Sequence, residues 1–195
     1  MSKLIANDII SFINIESKYR IASDKALKII FHPDEYNLLN NYSQVLLSSL
    51  LWTCKESAYK IMMKNGFRRA FAPSLYCVSI SASENSIFSG TVSYNNSHVC
   101  AYYSGVTDSF INTIAAVSKK SLPFIFHKIF SVNTSEEKDV RICNEISKSL
   151  NIPVSNIELK RNYWGIPELI IDGKKSNIEI SLSNDASYIS LAYLS

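Results

Sequence analysis

Two patterns of apolar residues follow one another along this chain. A helical spacing of three and four residues runs from Ser43 to Lys64 and predicts one long helix. Short apolar runs separated by Ser, Asn and Gly follow it, and such runs are typical of antiparallel strands joined by turns. This combination predicts an α+β fold in which helices pack on antiparallel sheets.

Residues 1–118 are predicted to form a first half, which begins with a buried strand over residues 4–12. Asp8 interrupts that strand, and a carboxylate there is costly unless it is paired or bound to a metal ion. Alternatively, Asp8 ends the strand and caps the next turn, and the pattern does not decide between the two. Helices are then predicted over 24–31, from Pro33 onwards and over 43–64, and strands over 75–82, 87–94, 99–103 and 110–117.

Residues 119–134 are predicted to be a linker and 135–195 a second half, the whole forming one compact unit. The pattern does not assign a state to the apolar piece 122–130. A helix is predicted from the acids Glu136 and Glu137 to Leu150, and strands over 157–160, 168–171, 177–182 and 188–194. Residues 107–111 and 185–189 are similar, which fits two pseudo-symmetric halves, each a long helix on a small antiparallel sheet. Chance explains so short a similarity nearly as well.

Composition and charge exclude several classes of protein. With 195 residues, 47% of them hydrophobic, the chain is predicted to be globular, and its net charge of +3 is too weak to indicate nucleic acid binding. The charge suits a phosphorylated ligand or an acidic protein partner. The chain shows no signal peptide and no apolar run of about 18 residues, so we expect a cytoplasmic protein without a membrane segment. The four cysteines are widely spaced, which favours free thiols over a zinc site.

The stretch from Trp52 to Lys60 carries the candidate chemistry. Glu56 and Lys60 lie one turn apart on the predicted helix and share a face with Trp52. A carboxylate and an ammonium in this spacing form a surface ion pair, or they hold a metal ion and an anionic substrate side by side. The spacing alone favours the ion pair.

Three stretches together resemble the 4′-phosphopantetheinyl transferase superfamily. Trp52-x-x-Lys55-Glu56-Ser57-x-x-Lys60 matches its W-x-x-K-E-(S/A)-x-x-K signature in full, and Asn7-Asp8 is similar to its strand with a metal-binding Asp. Gly165-Ile166-Pro167 and Ser183-Asn184 are similar to its G-K-P and S-H pair. The order of these motifs resembles a circular permutation of the two-half, surfactin-synthetase-activating type. The alternative is the short, trimeric acyl-carrier-protein-synthase type with a long insertion.

This resemblance implies an Mg²⁺-dependent transfer of the 4′-phosphopantetheine arm of coenzyme A to a serine of an acyl or peptidyl carrier protein, as in fatty acid or polyketide biosynthesis. Adenosine 3′,5′-bisphosphate would be released, and the enzyme would be a monomer. Asp8 and Glu56 would hold the metal ion, Glu56 or a metal-held water would take the serine proton, and Lys60 would face the phosphate. The implied coenzyme A contacts are Lys55 at the rim, Lys138 and Arg141 at a helix start, and Gly165, Pro167, Ser183 and Asn184 in the pocket.

The chain departs from the family pattern at a few positions. Ile166 replaces the lysine of G-K-P, and Asn184 replaces the histidine of S-H. Ile10 and Ser11 stand where many relatives carry a second acid. These changes predict weaker coenzyme A binding or altered selectivity, and they leave open a catalytically degenerate module that binds coenzyme A or a carrier protein. An unrelated α+β interaction protein, in which Glu56 and Lys60 form only an ion pair, is the third alternative.

A basic group follows the predicted long helix. Lys64, Arg68 and Arg69 either complement the dipole at the helix end or meet the acidic surface that carrier proteins typically present. The first interpretation is the commoner one for such clusters. The docking role of these three residues is a hypothesis that depends on the family resemblance.

Overall fold

A computed structural model describes residues 3–12, 23–132 and 137–195 as an α+β fold of helices and antiparallel sheets, the class that the sequence predicts. None of the described helices has the length and apolar character needed to cross a lipid bilayer. The α-helices are α1 (Asp24–Ile30), α2 (Gln44–Lys64) and α3 (Glu137–Leu150), and 3₁₀ helices cover Pro33–Asn40, Pro73–Leu75, Lys119–Phe124 and Val154–Asn156. The strands are β1 (Ile5–Ser11), β2 (Tyr76–Glu84), β3 (Ile87–Tyr94), β4 (Ser97–Val106), β5 (Phe110–Ala116), β6 (Phe126–Ser131), β7 (Ile157–Arg161), β8 (Pro167–Ile171), β9 (Lys174–Lys175), β10 (Glu179–Asp185) and β11 (Tyr188–Leu194).

The first sheet has five antiparallel strands in the order β1-β5-β4-β3-β2. Its first strand, β1, pairs with β5 so that Ile5 lies opposite Ala116 and Ser11 opposite Phe110. Helix α2 packs on this sheet because its apolar residues recur every three or four positions. Its buried apolar side chains are Leu47, Leu50, Leu51, Cys54, Ala58 and Ile61.

The two ends of α2 are set by a capping serine and by a glycine, both of which can be recognised in the sequence. The side chain of Ser43 caps the first turn by accepting a hydrogen bond from the backbone N–H of Leu46. At the other end, Gly66 adopts φ +91°, which a glycine reaches without steric cost. The helix therefore stops before the Arg68-Arg69 pair, as predicted.

Two three-stranded sheets, β10-β11-β6 and β7-β8-β9, build the second part of the chain. Strand β6 pairs with β11 from Phe126 opposite Tyr193 to Ser131 opposite Tyr188. The second sheet therefore includes a strand from the segment that was predicted to be a linker. The start predicted for α3 at Glu136 lies outside the described residues, and its end at Leu150 agrees with the prediction. The division into two pseudo-symmetric halves stays a prediction.

Strand β1 also lies beside β10, and side chains rather than backbone carbonyls join the two strands. The backbone N–H groups of Asn7 and Ile9 donate to the hydroxyls of Ser181 (3.0 Å) and Ser183 (3.3 Å). The N–H of Ser11 donates to Oδ2 of Asp185 at 2.6 Å. We call these three bonds the β1–β10 ladder. Because alternate residues of β10 point the same way, one face of that strand accepts all three bonds.

Candidate active site

Asp8 lies at the point where β1, α2 and β10 meet. Asp8 is buried within β1, and its Oδ1 accepts hydrogen bonds from Lys60 Nζ at 2.9 Å and from Ser183 Oγ at 2.7 Å. Lys60 Nζ also donates to the backbone oxygen of Asn7 at 3.0 Å. The buried carboxylate is therefore paired, which is the first of the two alternatives that the sequence allowed for it.

Glu56 is half-buried and lies one turn before Lys60 on the same face of α2. Burial raises the pKa of Glu56, the negative charge of Asp8 raises it further, and Lys60 lowers it in part. The two carboxylates are thus close enough to influence each other electrostatically. The ion pair that the structure describes for Lys60 is the one with Asp8, so the simple Glu56–Lys60 surface pair does not describe this helix face.

A cleft of about 200 Å³ opens beside Glu56 and Lys60. The opposite wall comes from the second part of the chain, where the Gly165 motif and β10 lie. The residues that line the whole cleft are Glu56, Tyr59, Lys60, Met63, Lys64, Trp164, Gly165, Ile166, Pro167, Ser181 and Leu182. The structure therefore brings the signature from Trp52 to Lys60 and the Gly165 motif to one cavity.

The wall at Gly165 is shaped by a local turn. Oδ1 of Asn162 accepts hydrogen bonds from the backbone N–H groups of Trp164 (2.9 Å) and Ile166 (3.1 Å), and Gly165 between them has φ +75°. An Asn side chain that holds the following backbone, with a glycine in the left-handed region, is a common way to build a tight turn. This turn presents Trp164 and Ile166 to the cleft.

Lys55 is the clearest error of the sequence-based prediction. It was placed at the rim of the cleft, but its side chain is 0% exposed, and its Nζ donates to Glu35 Oε2 and to the backbone oxygen of Ile30, both at 2.6 Å. Lys55 comes one position before Glu56, which turns it about 100° away on a helix and into the protein. The lysine next to the signature glutamate thus joins α2 to the segment after α1.

Lys64 is likewise not the exposed docking charge that was predicted. Its Nζ is enclosed by Glu179 Oε1 (2.6 Å), the Ile180 carbonyl (2.7 Å) and the Ile5 carbonyl (2.9 Å). Burial lowers the pKa of Lys64, and Glu179 offsets part of this effect. The residue therefore ties the end of α2 to β1 and β10. Arg69, in contrast, is exposed.

Lys138, Arg141 and Asn184 are not among the residues that line the cleft. Arg141 lines a different depression with Ser131 and Val132 and lies 3.9 Å from a carboxylate oxygen of Glu145. Asn184 is exposed, because it follows Ser183 on β10 and points to the opposite side of the strand. The roles predicted for these three residues in coenzyme A binding stay predictions without support from the cleft.

Sequence reasoning missed part of the lining. Tyr59 and Met63 are three and seven positions after Glu56, so the helical spacing that relates Glu56 to Lys60 could have found them. Trp164 carried no such signal beyond its place next to Gly165. It is 49% exposed, and the Arg68 guanidinium lies 4.3 Å from the centre of its ring.

One group of three side chains in the described parts of the chain could hold a metal ion, and it contains neither Asp8 nor Glu56. The ligand atoms of His32, Asp34 and Cys77 lie within 4.8 Å of one another. His32 already caps the 3₁₀ helix through a bond from the Asp34 N–H, which explains its position without a metal ion.

Comparison with known proteins decides the family. A model of the 4′-phosphopantetheinyl transferase superfamily matches residues 5–117, which is 113 of the 195 residues. The chain belongs to this superfamily. The matched range contains Asp8, Glu56 and Lys60, and the recognition made from the signature is confirmed. Comparisons with curated proteins and with solved structures gave no match.

Membership of the phosphopantetheinyl transferase superfamily makes this chain a transferase of phosphopantetheinyl groups, and the family uses coenzyme A as a substrate and carrier proteins as partners. The matched range ends at Val117, before the start of the predicted second half. Outside the matched range, the Gly165 motif rests on its place in the cleft, and Ser183 rests on its hydrogen bond to Asp8. Circular permutation and insertion stay alternative explanations for the order of the motifs.

Proposed function

We propose that this phosphopantetheinyl transferase moves the 4′-phosphopantetheine arm of coenzyme A to a serine of an acyl or peptidyl carrier protein and releases adenosine 3′,5′-bisphosphate. The observation that carries this proposal is the cluster of Asp8, Glu56 and Lys60, in which Glu56 and Lys60 line the cleft and Asp8 is bonded to Lys60 behind them. Phosphoryl transfer depends mainly on positioning and on neutralising charge, and this cluster offers groups for both tasks.

Asp8 and Glu56 fit a magnesium ion. They supply hard carboxylate oxygens, and Mg²⁺ commonly binds through one or two carboxylates, with phosphates and water completing its coordination. In the described parts of the chain both hydrogen bonds to Asp8 end on Oδ1, so we expect Oδ2 to face the ion. Bound there, Mg²⁺ would neutralise the pyrophosphate of coenzyme A.

The protein groups have separate tasks in the proposed reaction. Oγ of the carrier serine forms a bond to the phosphorus that bears the pantetheine arm, and the bond from that phosphorus to the bridging oxygen breaks. Glu56 lines the cleft and takes the hydroxyl proton, directly or through a water. The side chain of Lys60 is 26% exposed, and its positive charge stabilises the negative charge on the phosphoryl group that is being transferred.

One chain supplies both walls of the cleft, which supports a monomeric enzyme. Tyr59 and Lys60 come from α2, and Pro167 and Leu182 come from the second part. The trimeric type would instead need a neighbouring subunit to complete its site. We also propose a cytoplasmic location, in keeping with the four free cysteines.

The test is to incubate the purified protein with apo carrier protein, coenzyme A and Mg²⁺ and to follow the mass of the carrier. We expect a mass gain of one phosphopantetheine arm that depends on Mg²⁺ and is lost in Glu56→Ala. Glu158→Ala serves as the matched control, because Glu158 is exposed on β7 and should leave loading intact. No gain across acyl and peptidyl carriers would sink the proposal.

A second candidate function is a module that binds coenzyme A or a carrier protein without catalysis. Its support is the charge of the cleft: Ile166 is apolar, and the lysines that line the cleft are paired with carboxylates, Lys60 with Asp8 and Lys64 with Glu179. Calorimetry distinguishes the two functions. Coenzyme A binding that is insensitive to Mg²⁺ and to Glu56→Ala would favour the module.

A further inference from the structure

Ser183 differs from the other acceptors of the β1–β10 ladder. Its hydroxyl accepts the Ile9 N–H at 3.3 Å and at the same time donates to Asp8 Oδ1 at 2.7 Å. Ser181 accepts the Asn7 N–H at 3.0 Å, and within residues 3–12, 23–132 and 137–195 it makes no bond to Asp8. One hydroxyl thus holds both the backbone next to Asp8 and the carboxylate itself.

We propose that Ser183 is a positioning residue for the metal site: it fixes the Asp8 carboxylate so that its second oxygen faces the cation. This inference rests on the proposed metal-binding role of Asp8. The family resemblance of the Ser183-Asn184 motif implied a place for Ser183 in the coenzyme A pocket, whereas the geometry assigns Ser183 a role through Asp8. The second half of the chain would then set the geometry of a ligand that belongs to the first half.

The hydrogen-bonding capacity of a serine explains the direction of this effect. A hydroxyl has one proton, and because the Oγ of Ser183 accepts from Ile9, its proton is available for Asp8. Both donors to Asp8 bind Oδ1, which fixes the plane of the carboxylate from one side. Hydrogen bonds of this kind orient the carboxylates that bind metal ions.

Lys60 cannot do this work alone during the reaction. In the proposed mechanism its ammonium moves its charge towards the phosphate, and its bond to Asp8 then weakens. Ser183 is the remaining donor to Asp8 among the described contacts, and it is anchored on the opposite strand. The carboxylate would therefore keep its orientation while Lys60 serves the substrate.

The test measures metal affinity directly on the full chain. Mn²⁺ serves as a paramagnetic probe for Mg²⁺, and free Mn²⁺ is followed by electron paramagnetic resonance during a titration, with and without coenzyme A. We expect Ser183→Ala to weaken Mn²⁺ binding by about 10-fold or more, the usual effect of removing a partner of a metal ligand. Ser183→Thr keeps the hydroxyl and should restore most of the affinity.

Ser181→Ala is the matched control, since it removes one bond of the same ladder between the same strands without touching Asp8. We expect it to lower the free energy of unfolding in urea, because one bond of the ladder is lost, and to keep the wild-type Mn²⁺ affinity. Equal losses of affinity in both variants, or no loss in either, would overturn the positioning role. A wild-type protein that binds no Mn²⁺ would overturn it as well.

Carrier loading, measured in parallel, separates this inference from the proposed function. Wild-type loading together with a Mn²⁺ affinity that is unchanged in Ser183→Ala refutes the positioning role and leaves the transferase intact. A weakened Mn²⁺ affinity in a protein that loads no carrier supports the positioning role and refutes the transferase.

Discussion

Replacing Lys55 by methionine removes the cation from a buried ion pair. The side chains of Lys55 and Glu35 are 0% and 1% exposed, and Glu35 also accepts the backbone N–H groups of His32 (2.8 Å) and Val78 (2.6 Å). Methionine fills a similar volume without charge. We expect a large loss of folding stability because the substitution leaves Glu35 buried without its counter-charge.

The size of this loss follows from the choices left to Glu35. Burial raises the pKa of Glu35 and Lys55 lowers it, so we expect the carboxyl group to take up a proton in the folded state once Lys55 is removed. Protonating a group with an ordinary pKa of 4.5 at pH 7 costs about 3.4 kcal/mol. Loss of the bond to the Ile30 carbonyl adds about 1 kcal/mol. We therefore expect Lys55→Met to lose about 4 kcal/mol of unfolding free energy at pH 7.

The sign of the pH dependence provides a second check. In the variant the folded pKa of Glu35 lies above the unfolded value, so its contribution favours the folded state at low pH and is lost as the pH rises through the folded pKa. The deficit relative to the wild type should thus shrink to about 2 kcal/mol at pH 5. Glu35→Gln combined with Lys55→Met should recover much of the loss at pH 7, because no buried charge remains.

Urea denaturation at pH 7 and pH 5 measures these free energies, and calorimetry with coenzyme A measures binding under conditions where the variant is folded. A Lys55→Met protein with wild-type stability but weakened coenzyme A binding would refute the reasoning. That result would return Lys55 to the rim of the cleft, where the sequence placed it.

Three further predictions concern charges elsewhere in the molecule. Burial lowers the pKa of His127 from 6.5 to about 4, so its stabilising contribution is full above pH 6.5 and is lost as the pH falls. The wild type should therefore lose about 2 kcal/mol of unfolding free energy through His127 between pH 7 and pH 5. His127→Gln should remove this dependence, so that the stability measured in urea changes less over that range. Lys64→Met should lower the unfolding free energy by about 2 kcal/mol, because three hydrogen bonds that join α2 to β1 and β10 disappear; a melting temperature equal to that of the wild type would contradict this. Arg69→Glu should slow carrier loading severalfold at low salt and leave the KM for coenzyme A unchanged. The reason is that an exposed charge affects the rate at which an acidic carrier protein binds. A loading defect that persists in about 0.5 M salt would argue against a docking role for Arg69.

Local patterns in the sequence were enough for most elements of the fold. The spacing of apolar residues together with Ser43 and Gly66 gave both ends of α2, and the runs at Ile87–Tyr94 and Tyr188–Leu194 gave two strands with the bounds that the structure has. Strand β6 was missed because its apolar run is short and carries no period that distinguishes a strand from a buried helix. Its state is decided by pairing with β11, which lies far along the chain.

The candidate site divides in the same way. The signature around Glu56 and Lys60, with Asp8 upstream, named the family because these residues form a recognisable pattern along the chain. The same pattern misjudged Lys55, because a motif does not reveal which helix face meets solvent. Only the packing of α2 on the first sheet turns Lys55 inward to Glu35 and leaves Glu56 at the cleft.

What the sequence determined by itself is the chemistry available to this protein: two carboxylates, a lysine one helical turn from one of them, and the turn at Gly165. What only the tertiary structure decided is which of these groups meet. Asp8 and Ser183 are 175 positions apart, and they touch because the β1–β10 ladder sets the two strands side by side. Contacts between distant segments depend on packing and register, and the residue order near either contact does not encode them.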